Sequence, residues 1–346
     1  MLNSRLSADP LSIDQDLLSA YLESHLPGFR GPLSLEKFSG GQSNPTYLLK
    51  ARNGAYVLRR QPPGELLKSA HAVDREYRVL CALAESEVPV PKAIHLCEDR
   101  AIIGSMFYLM SFEPGRIFWD HALPELAVAD RKAVYEEMVS VLANLHNVEP
   151  AEVGLADYGR PGNYYARQVN TWTMQYRASA TEENRTIDSV IEWLVAHVPP
   201  DSGRASLIHG DFRLDNLIYH PNCRQVKAVL DWELSTLGDP IADLAYLCVF
   251  PRLPANKQFR GLAGKSRMEL GIPTESQVVE MYCARRGISE IEQWNFYLTF
   301  SFFRVAAIVQ GVYKRALNGN AANANALELG ATVAILGHLA AEAITG

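Results

Sequence analysis

The sequence predicts an α+β protein of two lobes, a small antiparallel sheet lobe with one main helix and a larger, mainly helical lobe. Three observations carry this. Residues 33–60, LSLEKFSGGQSNPTYLLKARNGAYVLRR, alternate apolar runs with glycine-bearing turns, the pattern of a three-stranded meander. After Gly115 the apolar spacing becomes helical almost throughout. One stretch interrupts that helical half: LIHGDFRLDNLIYHPNCRQVKAVLDWE, Leu207–Glu233, holds short apolar pieces with polar residues at their ends. The lobes divide at 1–110 and 111–346, and 346 residues are enough for a core in each.

The elements follow in order. Residues 11–26 read as a short helix with Leu17, Leu18, Tyr21 and Leu22 on one face and Pro27-Gly28 as its stop. After the meander, 69–85 return to helical spacing, with Val73, Tyr77, Leu80 and Ala84 in one stripe ended by VPVP. AIIGSMFYLMSF at 101–112 is expected to supply two more strands before a turn at Glu113–Arg116. Asp130 can cap a helix whose stripe runs Val134, Met138, Val141, Leu142 and Leu145. Further helices are expected at 163–178, 186–197, 275–287, 290–317 and 321–344. A cleft between two such lobes is a preferred place for a ligand.

Composition excludes several classes. Hydrophobic residues at 48% and charged residues at 21% are ordinary for a globular chain. A net charge of −6 suggests neither a nucleic-acid partner nor a polybasic membrane binder. The five cysteines form no CxxC pair, so neither a zinc site nor a disulfide framework follows. The N-terminus lacks the apolar core of a signal peptide, and no uninterrupted apolar segment approaches the roughly 20 residues of a membrane helix. A cytoplasmic protein is expected.

The chemistry concentrates in the Leu207–Glu233 stretch. Asp211 and Asn216 flank a turn between apolar strands, and Asp231 follows the next strand. A hairpin there would converge two carboxylates and an amide oxygen. Hard oxygen ligands of this kind suit Mg²⁺ shared with substrate phosphates. A carboxylate just outside the metal pair could deprotonate a hydroxyl.

With these residues the chain resembles the aminoglycoside phosphotransferase-like family of small-molecule kinases, which share the protein-kinase fold. The family's His-Gly-Asp-x-x-x-x-Asn element matches His209, Gly210, Asp211 and Asn216; Asp231-Trp232-Glu233 and the GDPIADLAYL segment at Gly238–Leu247 match as well. The detailed resemblance is closest to the kinase-like domain joined to acyl-CoA dehydrogenases. It implies a nucleotide-binding lobe at 1–110, a catalytic and acceptor-binding lobe at 111–346, and ATP with Mg²⁺ as cofactors. Asp211 would be the catalytic base, Asn216 and Asp231 the metal ligands, His209 a packing residue and Asp243 a tether of the catalytic loop. Glu233 is left between a metal contact and a surface carboxylate. In FSGGQSNPTY, Gly40 and Gly41 would permit a tight turn over phosphates to which Ser43 and Asn44 donate. Kinases of this fold place a Lys on the third strand, paired with a helix Glu; here that strand position holds Arg59, with Glu76 as partner, and Arg is not interchangeable with Lys. Arg60, on the opposite face, is expected to be solvated. The resemblance puts the adenine against backbone around Met110–Phe112. GLAGKS at 261–266 is not a P-loop, because Phe259 stands where the first glycine is needed.

The acceptor is read from charge. Arg252, Lys257, Arg260, Lys265 and Arg267 occur with no acidic residue between Arg252 and Arg267, and Arg160, Arg167 and Arg177 stand among aromatics. The pattern suits an anionic, partly apolar small-molecule acceptor bound by residues such as Arg167 and Arg260. A hydroxyacyl compound or its CoA thioester leads; an aminoglycoside or other amino alcohol is the alternative, and a nucleotide-binding pseudokinase is the alternative of another class.

Overall fold

The computed structural model describes residues 13–38, 44–62, 72–160, 162–201, 203, 205–256, 258–318 and 329–346. The chain divides into two compact units. The first comprises Met1–Pro114 and takes back Ala228–Glu233; the second comprises Gly115–Lys227 and Leu234–Gly346.

The first unit runs α1 (Gln15–His25), β1 (Ser34–Lys37), β2 (Thr46–Ala51), β3 (Gly54–Arg60), α2 (Val73–Leu83), β4 (Ala93–Cys97), α3 (Arg100–Ile103) and β5 (Phe107–Ser111). The strands form one antiparallel sheet in the order β1-β2-β3-β5-β4. The meander is as the sequence predicts, with Arg52 and Asn53 as the two-residue loop between Ala51 and Gly54. The reading of 101–112 as two strands is corrected: only Phe107–Ser111 is a strand, and Arg100–Ile103 is a helical turn. Asp99 accepts the Ala101 N–H at 2.8 Å and Gly104 ends the turn in the left-handed region, so cap and stop chemistry override a short apolar run.

β3 is covered on both faces, and its period of two sorts its side chains. Leu58 enters the apolar cluster of Leu18, Leu22, Phe29, Leu49, Phe107 and Leu109, each burial contributing about 1.5–3 kcal/mol. Arg60 shares that face and is 1% exposed, which corrects the expectation of a solvated side chain. Its Nε donates to Ser105 Oγ at 2.9 Å, and burial holds the guanidinium below its ordinary value. Val57 and Arg59 point to the other face.

The second unit holds α4 (Val128–Asn147), α5 (Tyr164–Ser179), α6 (Arg185–Ala196), β6 (Ser206–Ile208), β7 (Leu217–Tyr219), the start of β8 (Val226–Val229), β9 (Thr236–Gly238), α7 (Ile241–Arg252), α8 (Glu275–Arg286), α9 (Trp294–Leu317) and α10 (Gly330–Thr345). β6 pairs with β9. Asp130 lies in the first turn of α4 rather than at its cap. α9 is the central helix, packed against α5, α7 and α10. By length and composition α9 could cross a membrane, with mean hydropathy 1.3 over its most apolar window, but polar residues interrupt it, as the sequence reading expects. Its interruptions include uncharged Thr299 and Ser301, and 67% of that window is buried inside the protein.

α7 is buried almost all round and carries Asp243, which is 0% exposed. A second buried titratable group of this unit is His121. Its ring stacks on Phe250 with centroids 6.2 Å apart, and its Nδ1 has no hydrogen-bond partner. Burial pushes its pKa from 6.5 down to about 4, opposed by Asp120 and assisted by Arg213 and Arg267. The unfolded chain therefore takes up a proton between those values that the folded chain refuses, and stability falls as pH drops through that window. Urea unfolding at several pH values should show His121→Phe losing less stability than wild type between pH 6.5 and 4, by up to about 3 kcal/mol. Identical pH slopes in the two proteins would contradict it.

Candidate active site

The turn after β6 is built around one acidic group. Asp243 accepts the His209 N–H at 2.6 Å on Oδ2 and the Gly210 N–H at 2.8 Å on Oδ1. Burial alone would raise its carboxyl; His146 and the backbone donor of His209 hold it below the usual range instead. His146 is itself fully buried, which keeps its pKa low, and it bridges Asp243 (3.3 Å from Nε2) and the Tyr282 hydroxyl (2.7 Å from Nδ1). Gly210 has φ +82°, and a Cβ there would lie 2.6 Å from the Leu234 carbonyl oxygen. Only glycine makes this turn without displacing backbone. His209 is 0% exposed, and its Nδ1 accepts the Asp211 N–H at 3.2 Å.

That frame presents Asp211. Asn216 Nδ2 donates to both the Asp211 carbonyl and its Oδ2, each at 2.9 Å, and Arg213 Nε lies 3.3 Å from the same Oδ2. Arg213 also reaches Asp215 at 3.2 Å and stacks over Phe250. Burial first, then the charge of the Asp211 carboxylate, push the Tyr246 phenol far above its ordinary value. Asp211 and Asn216 are thus brought together. Arg213, Tyr246 and Arg304, whose Nη2 donates to the Gly210 carbonyl at 2.7 Å, were missed by sequence reasoning. Arg213 had a signal, a cation two residues after the acid; Tyr246 and Arg304 had none.

The first unit contains a second polar centre. Arg59 is 8% exposed, with Nε 2.8 Å from Glu76 Oε2 and Nη2 at 2.5 Å from Asp231 Oδ1 and 3.3 Å from Glu233 Oε2. Burial opposes its charge, yet Glu76 and Asp231 together raise the guanidinium above its ordinary value. Glu76 is 2% exposed; burial pushes its carboxyl up, while Arg59, Tyr108 and Asn44 pull it back. Asn44 donates to Glu76 Oε1 at 2.8 Å and Tyr108 to Oε2 at 3.1 Å. Asn44 is 1% exposed, and its bond and that of Tyr108 hold Glu76 beside Arg59. Asp231 has φ +66°, unusual for a residue with a side chain, and stays there because neighbours over-determine it: Trp232 Nε1 bonds the Val229 carbonyl at 3.0 Å, and Val229 N–H bonds the Pro89 carbonyl at 2.8 Å.

The chemistry of these donors fits Mg²⁺. Asn216 spends its amide nitrogen on Asp211, so its carbonyl oxygen is the atom left to meet a cation. Asp231 keeps Oδ2 beside the oxygen paired to Arg59, and its side chain is 29% exposed. No cluster of three His, Cys, Asp or Glu occurs among the described residues.

Of the remaining expectations, Ser43, Gly40 and Gly41 lie outside the described residues. Met110 pairs in β5 with Val57 and Ala93, and Phe112, 36% exposed, follows the strand. The basic segment divides by partner. Arg252 forms a two-point ion pair with Glu275 at 2.6 and 2.8 Å, Arg267 donates to the Pro273 carbonyl, and Lys257 is outside the described residues. Arg260 and Lys265 line a cavity of about 430 Å³ with Asp120, Asn256 and Gly261. Arg260 adopts φ +53°, its N–H bonded to Asn256 and its carbonyl to the His121 N–H. Arg167 is elsewhere, with Nη2 on the Arg160 carbonyl at 2.7 Å.

Known proteins give the context for this geometry. Acyl-CoA dehydrogenase family member 10 of Mus musculus is 48% identical over 98% of this chain, and family member 11 of Rattus norvegicus is 44% identical over 88%. The chain spans only 32% and 40% of the lengths of those relatives. A crystal structure from Ralstonia eutropha JMP134, described as a candidate aminoglycoside phosphotransferase, is 45% identical, with a TM-score of 0.87 over 96% of this chain and 99% of that one. The aminoglycoside phosphotransferase APH(4)-Ia, solved with AMP-PNP and hygromycin B, shares the fold at 15% identity, with a TM-score of 0.62 over 95% of this chain and 99% of that one. Residues 34–270 match the phosphotransferase enzyme family. The chain belongs to that family, a transferase of kinase-like fold that phosphorylates hydroxyl groups.

Proposed function

We propose that the chain is an ATP- and Mg²⁺-dependent kinase that moves the γ-phosphoryl group to the hydroxyl of an anionic, partly apolar small molecule, a hydroxyacyl compound or its CoA thioester. The observation that carries the kinase reading is the Asp211–Asn216 pair, a carboxylate held by a side-chain amide whose oxygen faces away from the bond. Asp211 accepts the proton of the acceptor hydroxyl as that oxygen attacks the γ-phosphorus; the bond to the β-phosphate oxygen breaks and ADP leaves. Mg²⁺, held by Asn216 and Asp231, would neutralise the phosphate charge. Arg59, steadied by Glu76, serves where a Lys is usual, and backbone around Met110–Phe112 receives the adenine, with Ser43 at the phosphates.

The acceptor reading rests on Arg260 and Lys265, two cations in one cavity with no ion pair among the described residues. Arg167, already bonded to the Arg160 carbonyl, contributes less. The names of the animal relatives attach a sequence like this one to acyl-CoA dehydrogenases, which favours an acyl-bearing acceptor.

ADP release in the presence of hydroxyacyl-CoAs and aminoglycosides, side by side, tests the whole. Asp211→Asn should lower turnover by about 10²–10⁴-fold while Mg-ATP binding, read by calorimetry, stays within a few-fold. Full turnover in this variant would remove the base assignment.

Arg59→Ala should raise the KM for ATP and lower kcat, together a loss of about 1.5–3 kcal/mol, with Arg59→Lys recovering part of it. Arg60→Ala should instead lower the melting temperature and leave the kinetics of the folded fraction alone, since its guanidinium bonds Ser105 within the core. Similar kinetic losses in both alanine variants would contradict these roles.

Arg260→Glu should raise the KM for an anionic acceptor without changing that for ATP. The difference from wild type should shrink with added salt, because rim charges are screened over about 8–10 Å. Efficient phosphorylation of aminoglycosides, with every hydroxyacyl compound ignored, would overturn the acceptor class and leave the kinase reading standing.

A further inference from the structure

Arg304 lies in the middle of α9, in the run Phe302-Phe303-Arg304-Val305-Ala306, and is 6% exposed. No carboxylate pairs with it among the described residues. Its guanidinium is held between two rings, 5.4 Å from the centroid of Trp172 and 5.2 Å from that of Tyr246, and Nη2 donates to the Gly210 carbonyl at 2.7 Å. Its Nε is buried without a hydrogen-bond partner. A buried cation with a neutral acceptor, two ring faces and one unsatisfied N–H costs stability compared with a well-packed apolar side chain. Stability is therefore not what this residue supplies.

What it touches is more telling. The Gly210 carbonyl belongs to the peptide unit that leads into Asp211, and the N–H of that unit goes to His209 Nδ1 at 3.2 Å. Both polar ends of one peptide are thus fixed, one from α9 and one from the loop itself. The Tyr246 ring lies 5.2 Å from the same guanidinium, and the Asp211 carboxylate is among the groups that act on its phenol. Arg304 therefore reaches Asp211 through its backbone, and it also packs on the Tyr246 ring.

We propose that Arg304 is a positioning residue: it sets the orientation of the Gly210–Asp211 peptide and of Tyr246, and so aims the Asp211 carboxylate. The inference rests on reading Asp211 as the base. The aim of a base is worth much in rate, because a displacement near 1 Å costs on the order of 10²-fold. A lysine keeps the charge and can reach the carbonyl but lacks the planar fork that fills the space between two rings. Methionine packs the site without charge or donor.

The test uses the full chain and ADP release from ATP, with a hydroxyacyl-CoA and with water as acceptors. Arg304→Met should lower kcat by about 10–100-fold with the KM for ATP within about twofold of wild type, and its melting temperature should be unchanged or higher. Arg304→Lys should fall between the two. Trp172→Leu, which removes one ring and leaves the hydrogen bond, gives a second reading if Arg304→Met folds poorly, with a smaller kcat loss and again no change in KM. An Asp211→Asn protein that is inactive beside an Arg304→Met protein with wild-type kcat would overturn this inference alone. An Asp211→Asn protein as active as wild type, or a wild type that releases no ADP, would overturn both this inference and the reading it rests on.

Discussion

Two consecutive backbone N–H groups, those of His209 and Gly210, end on the two oxygens of one buried carboxylate, Asp243. Much of the second unit's design follows from this. A carboxylate so deep would be protonated or expelled unless donors surrounded it, and the two amides with His146 provide them. In return the loop that carries Asp211 is tied to α7, a helix with almost no solvent contact. The left-handed Gly210 then lets the chain turn without a side chain meeting Leu234, and the next residue emerges as a partly exposed acid on a rigid base. Precision at Asp211 comes from buried polar groups several residues or an entire helix away.

The first unit meets a related problem differently. Glu76 is as inaccessible as Asp243 but is paired with a full cation, and that cation also reaches Asp231 and Glu233. A lysine ammonium is a compact charge and would have to meet these carboxylates from a single nitrogen. The guanidinium spreads its charge over a plane, so it pairs with Glu76 on its Nε side while Nη2 donates to the other two. Arginine on the third strand thus suits an arrangement in which one side chain organises three acids, and Asn44 and Tyr108 complete the acid that is buried deepest.

The signals that were legible in the sequence are those carried by neighbours along the chain. The meander announced itself by alternation and by Arg52-Asn53-Gly54, and the catalytic stretch by polar residues at the ends of short apolar strands. The turn at Arg100–Ile103 was legible too, but its signal was Asp99 and Gly104 at the two ends, whereas the apolar letters between them suggested a strand. Arg60 was misjudged because alternation tells which face a residue takes, not whether that face is covered. In β3 both faces are covered, and only the tertiary structure says so. Tyr246 and Arg304 were invisible for the same reason: they reach the Asp211 loop from α7 and α9, 35 and 93 residues beyond Asp211 by the numbering of the chain.

The basic segment 252–267 shows the same limit for charge. Counted along the chain it is a run of five cations; counted by partner it is far less. Glu275 neutralises Arg252 from the start of α8, eight residues past the end of the segment, and Arg267 is spent on a carbonyl. What remains among the described residues is Arg260 and Lys265 beside Asp120 and Asn256, a cavity of mixed polarity rather than a broad positive surface. Two cations near an acid do not attract every anion over a long range, because the summed field is small and screened by salt. As the proposed acceptor site they would discriminate at contact, rewarding a ligand whose negative groups match their spacing and penalising one that brings an ammonium to the same place. On the proposed function, selectivity at this cavity would be a matter of fit more than of net charge, and the net charge of −6 for the whole chain does not argue against that proposal.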